Sequence, residues 1–139
     1  MHNYYFRGMQ IEKNYPLKAL NTFGMQVYAK HFATINTVYE LTKTISHAQT
    51  NDWPFLILGG GSNILFTKDF NGIVIKNNIT GIEAINESAD FVWVKAGAGV
   101  VWHHLVIYCI EKGWGGLENL SLIPGTVGAS PIQNIGAYG

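Results

Sequence analysis

Gly59, Gly60 and Gly61 run without interruption into Ser62 and Asn63. Residues without a Cβ let successive backbone N–H groups converge on one oxyanion, and the Ser and Asn side chains add donors beside them. A nucleotide pyrophosphate is the natural ligand of such a cradle; the plain alternative is a glycine-rich turn between two strands. Two familiar phosphate loops are excluded by spacing. The dinucleotide fingerprint needs a glycine three residues after Gly61, where Ile64 stands, and a helix opening there. A P-loop needs Gly-Lys followed by Ser or Thr, and the first lysine after the glycines is Lys68.

A second stretch with the same chemistry runs from Leu122 to Gly139. Its glycines at 125, 128, 136 and 139 suit a backbone lying close against something flat or charged. Ser130, Gln133 and Asn134 offer neutral donors and acceptors, as a flavin ring edge or a pyrophosphate requires. A long surface loop is the alternative, although unstructured loops of this length are usually functional.

Other reactive residues give weaker signals. His103 and His104 are adjacent, so on a helix they point about 100° apart and chelate poorly; both read as surface residues. Cys109, the lone cysteine, falls on an apolar stripe and reads as small core. The spacing contains no carboxylate pair, no metal-ligand pattern and no nucleophile–base set, so neither a catalytic residue nor a metal ligand is assigned. Nine basic and nine acidic side chains balance, which removes any bulk attraction to nucleic acid or anionic lipid. Arg7 is the single arginine, too little to clamp a substrate diphosphate.

The elements that position these loops are legible from periodicity. Residues 27–35 read as a strand and Thr37 to Glu40 as a capping box, followed by Val38, Leu41 and Ile45 at helical intervals. Pro54 introduces the apolar run 55–58, a buried strand feeding straight into the glycines. Residues 72–76, 81–85 and 91–95 are short strands between turn residues. Trp102, Leu105, Val106 and Cys109 mark one face of a helix that Gly113 closes. The expectation is an α+β fold of two small α/β subdomains, 1–66 and 67–139, with the second incomplete. The stop at Gly139, inside a glycine-rich loop, reads as a truncation.

Five motifs in register carry a resemblance: Asn21-Thr-Phe-Gly24, Leu56 through Leu65, Gly97-Ala-Gly99 with Trp102, Gly116-Leu-Glu-Asn-Leu120, and Ile123-Pro-Gly through Gly139. Together they resemble the UDP-N-acetylenolpyruvoylglucosamine reductases, within the vanillyl-alcohol-oxidase-type FAD domains. The Ser130 to Asn134 wording is similar to the branch with a longer substrate domain. The resemblance implies that Gly59, Gly60, Gly61, Ser62, Asn63, Ile64 and Leu65 hold the FAD pyrophosphate. It implies that Pro124, Gly125, Gly128, Ala129, Ser130, Asn134, Ile135, Gly136 and Ala137 line the flavin and its diphosphate. Nothing in the Gly59–Asn63 loop resembles a covalent attachment point, since it holds neither His nor Cys.

By the same resemblance, NADPH donates a hydride through the flavin to the enolpyruvyl group of a UDP-sugar, a step in peptidoglycan precursor synthesis. The family's catalytic serine, arginine and glutamate correspond to positions beyond 139. A cytoplasmic monomer acting on a small molecule, with no membrane or nucleic-acid partner, is the expectation. The alternatives are another flavin oxidase of the same fold, or a flavin-binding module without catalysis.

Overall fold

The computed structural model describes residues 3–6 and 9–138; Arg7 and Gly139 lie outside the described residues. The chain divides into two compact units, 1–78 and 79–139.

The first unit is built on a five-stranded sheet in the order β1-β2-β3-β5-β4. Its strands are β1 (Asn3–Phe6), β2 (Met9–Pro16), β3 (Tyr28–Ile35), β4 (Phe55–Leu58) and β5 (Phe70–Asn77). β1, β2 and β3 pair antiparallel, whereas β5 lies parallel to both β3 and β4. Ile73, Val74 and Ile75 of β5 are fully buried, as a parallel strand covered on both faces requires. Each such side chain contributes about 1.5–3 kcal/mol by leaving water. Leu17, Val27, Ala29, Phe32, Leu58 and Phe66 complete the core around Val74.

Between β3 and β4 runs α1 (Val38–Thr50). Its capping box forms as expected: the Glu40 N–H donates to Thr37 Oγ1 over 3.1 Å and Thr37 N–H to Glu40 Oε2 over 3.2 Å. The buried side of this helix is set by Thr44 and Ala48. Val38, expected on the apolar face, is 65% exposed in the first turn.

The expected boundary at 66/67 lies instead at 78/79. The physical reason is β5, whose carbonyl and amide ladder is shared with β3 on one side and β4 on the other. A strand in the middle of a sheet cannot belong to a different unit. The N-terminal strands β1 and β2 have little sequence signal, because Met9–Pro16 carries little apolar alternation; Ile11 is the fully buried anchor of β2.

The second unit holds an antiparallel pair, β6 (Ile82–Glu87) with β7 (Val92–Ala96), and α2 (Trp102–Glu111). All four residues of the expected α2 stripe, Trp102, Leu105, Val106 and Cys109, are buried. Gly113 closes the helix at φ +74°, with Gly113 N–H donating to Ile110 O and Trp114 N–H to Cys109 O, both over 2.9 Å. These are the paired bonds of a Schellman cap. No helix among the described residues is long and apolar enough to cross a membrane.

A candidate cofactor cradle

β4 and β5 are parallel neighbours, so their carboxyl ends lie at one edge of the sheet, the edge at which open parallel sheets place their ligands. The glycine loop leaves β4 there. Among the described residues, the N–H groups of Gly60, Gly61, Ser62 and Asn63 meet no protein acceptor, and neither do the Ser62 and Asn63 side chains. Gly61 adopts φ +72°, the left-handed conformation that one residue of an anion-binding nest takes. Four backbone N–H donors, with a hydroxyl and a carboxamide that can each donate as well, fall in four consecutive residues. That chemistry fits a diphosphate.

The loop is fastened from behind. Asn21, buried, donates from Nδ2 to Leu17 O over 2.8 Å and to Met25 O over 3.2 Å, and its Oδ1 accepts from Met25 N–H over 2.9 Å. That knot presents Thr22, whose N–H donates to Gly61 O over 3.1 Å. A Cβ on Gly61 would lie 2.0 Å from Leu20 O. The chain's own packing is thus enough by itself to require glycine at 61. At the strand end, Lys76 Nζ donates to Gly59 O; desolvation by burial lowers this ammonium's pKa. Ile64 is half-buried and Leu65 exposed, both flanking the cradle without polar function.

In the second unit, backbone hydrogen bonds pin the loop 122–138 to the segment 98–102. Trp102 N–H donates to Gly125 O, Val127 N–H to Val100 O, and Gly128 N–H to Ala98 O. A Cβ on Gly128 would lie 2.7 Å from Ala98 Cβ, so this glycine too answers to internal packing. The Ser130 hydroxyl donates to Val127 O over 2.8 Å and Gln133 Nε2 to Pro124 O over 3.1 Å. These two side chains brace the loop. Ala129 N–H closes a turn onto Thr126 O.

Gly136 differs. Its absent side chain would meet nothing within 4 Å, and its φ is not in the left-handed region. Nothing in the described chain requires a glycine there, while a flat ligand lying on the backbone would. Gly136 forms, with Ser130, Pro131, Asn134, Ile135 and Ala137, the wall of an open concavity of about 450 Å³. Asn134, at φ +52°, lines the same concavity, and its side-chain amide meets no protein partner among the described residues.

The FAD binding domain family matches residues 29–139, which include both loops. The chain belongs to that family. Among curated relatives of this FAD domain are the UDP-N-acetylenolpyruvoylglucosamine reductases of Amoebophilus asiaticus and Flavobacterium johnsoniae, each 52% identical over 131 residues. Those alignments cover 94% of this chain but 39% and 38% of the relatives, so the chain spans well under half of their length. A solved UDP-N-acetylenolpyruvylglucosamine reductase from Thermus caldophilus superimposes with a TM-score of 0.62 at 26% identity, covering 88% of this chain and 41% of that one.

His103 is half-buried, and its Nδ1 accepts from Leu122 N–H over 3.2 Å; His104 is exposed. Cys109 is core, and burial pushes its thiol pKa up. Among the described residues no group of three or more His, Cys, Asp or Glu could hold a metal ion.

Proposed function

We propose that this chain is the FAD-holding portion of a reductase that uses NADPH to reduce UDP-N-acetylenolpyruvoylglucosamine to UDP-N-acetylmuramate, in peptidoglycan precursor synthesis. The observation that carries the reading is the set of unengaged donors at residues 60–63, in a chain about half identical to reductases of that name. FAD supplies the hydride-transfer chemistry when bound. The chain's own residues bind and orient. Gly59–Leu65 hold the diphosphate through backbone N–H groups, with Ser62 and Asn63 adding side-chain donors. Pro124, Gly125, Gly128 and Ala129 shape the second loop, Ser130 stiffens it, and Asn134, Ile135, Gly136 and Ala137 present its open face to the flavin.

Under this reading no residue of the chain moves a proton or hydride to substrate. Those groups and the cationic clamp for the UDP diphosphate come from elsewhere in the protein, which acts as a cytoplasmic monomer without nucleic-acid or membrane partners. The cofactor is non-covalent. The cradle has no His or Cys, and the Cys109 thiol is buried and poorly ionised. The test is to load the protein with FAD, precipitate with acid and chromatograph the supernatant, then assay substrate-dependent NADPH oxidation. Intact FAD, fully released, is expected. Flavin retained in the pellet, or a wild-type protein without saturable FAD binding, would overturn the reading.

A further inference from the structure

We propose that Lys76 is a cofactor-binding residue that places a positive charge at the mouth of the diphosphate cradle; this rests on the FAD reading above. Lys76 stands on β5 directly opposite Leu58, the last residue of β4 before the glycines. Its ammonium donates to the carbonyl oxygen of Gly59, the first residue of the loop. An ammonium has three N–H donors, and one is used there. The remaining donors therefore sit beside Gly59, whose carbonyl carbon is bonded to the Gly60 amide nitrogen, the first amide of the loop. Among the described residues the Gly60–Asn63 amides meet no protein acceptor, and neither do the Ser62 and Asn63 side chains.

The cradle's donors are otherwise neutral, whereas a dinucleotide's diphosphate carries about two negative charges. A cation there, half-buried and tied to the loop backbone, raises affinity by direct attraction that solvent screens only in part. The carbonyl bond also fixes the ammonium, so little side-chain freedom is lost on binding. Lysine suits this role as a compact point charge on a flexible stem. No signal of spacing in the sequence leads from Gly59 to a residue 17 positions away; the parallel pairing of β4 with β5 makes them neighbours.

The experiment titrates FAD into the wild-type protein, Lys76→Met and Lys76→Arg at ionic strengths from 0.05 to 0.5 M, following flavin fluorescence. Lys76→Met is expected to bind FAD about ten-fold more weakly at low salt and to lose most of the wild-type salt dependence. Lys76→Arg, which keeps the charge, is expected within about three-fold of wild type with the salt dependence intact. If Lys76 only braced Gly59, Lys76→Met would weaken binding equally at every salt concentration, and the proposal falls. Unchanged affinity in Lys76→Met beside normal wild-type binding also overturns it, and leaves the FAD reading standing. Should Lys76→Met not fold, loss of the salt dependence in folded Lys76→Arg overturns it. Failure of the wild type to bind FAD removes both.

Discussion

The backbone N–H of Thr22 donates to the carbonyl oxygen of Gly61 over 3.1 Å, joining two segments 39 residues apart. Through that bond the Asn21 knot holds the loop at Gly61. A turn packed this closely leaves no room for a methyl group, since Leu20 O already occupies the place of a Gly61 Cβ.

Gly61→Ala is therefore expected to damage fold and cofactor binding together. Left-handed backbone costs an alanine about 1–2 kcal/mol, and the contact with Leu20 adds a similar amount or more. Thermal unfolding should move down by several degrees, and FAD titration should show weaker binding in the same variant. A variant with wild-type melting and wild-type affinity would mean that the loop does not pack as described.

Gly136→Val separates the two effects. The position has open space and an unstrained φ, so the stability change should stay within about 0.5 kcal/mol. FAD affinity should nonetheless fall by about ten-fold or more, because the branched side chain stands where the ligand would lie. Equal affinity in Gly136→Val and wild type would remove residues 134–137 from the cofactor wall.

Much of this arrangement is written locally. Thr37 and Glu40 form their capping box, Gly113 its cap, and the α2 stripe its buried face, because each depends on neighbours within one or two helical turns. The donor-rich composition of 59–63 and of 122–137 is equally visible. What stayed hidden is which glycine serves which master. Gly61, Gly128 and Gly136 look alike in sequence, yet Leu20 and Ala98 claim the first two and nothing among the described residues claims the third. That distinction requires contacts between distant segments. The same holds for β5, which the run of turns after Leu65 suggests is the start of a new unit, until its pairing with both β3 and β4 is known. It also holds for Val38, which has the right helical period but is left exposed in the first turn.

Acid should loosen the first unit. His31 of β3 stacks on Trp53 with ring centroids 3.7 Å apart, and His47 of α1 meets the same indole edge-on at 5.3 Å. Burial first, then the positive charges of Lys30 and Lys13 and the proximity of His47, hold the His31 pKa below 6.5. Burial alone lowers His47. Both rings are thus favoured neutral in the fold, and the unfolded chain binds more protons once pH drops below 6.5. Their contribution is complete above 6.5 and is lost as pH falls toward the lowered folded values. Melting temperature should decline between pH 7 and pH 5, with a shallower decline in His31→Phe, which keeps the stack on Trp53. A wild-type melting temperature flat across that interval would contradict the assignment.

The last prediction concerns His103, which the sequence presents as a surface residue beside His104. Its Nδ1 accepts from the Leu122 N–H over 3.2 Å and lies 3.3 Å from Ser121 Oγ, while the neighbouring Trp102 indole donates to Leu120 O over 2.8 Å. The first turn of α2 thus holds three consecutive residues of the segment that leads into Pro124 and Gly125. Leu122 needs the help. It is a non-glycine residue at φ +62° with its side chain 76% exposed, so hydrophobic burial offers little to offset the backbone cost. His103→Ala removes the acceptor and should cost about 1–2 kcal/mol of stability, with faster hydrogen exchange at 120–128. His103→Asn can place an acceptor oxygen near the Nδ1 position and should recover most of that loss. Exchange rates at 120–128 that do not change in His103→Ala would show that Leu122 holds its conformation without the imidazole.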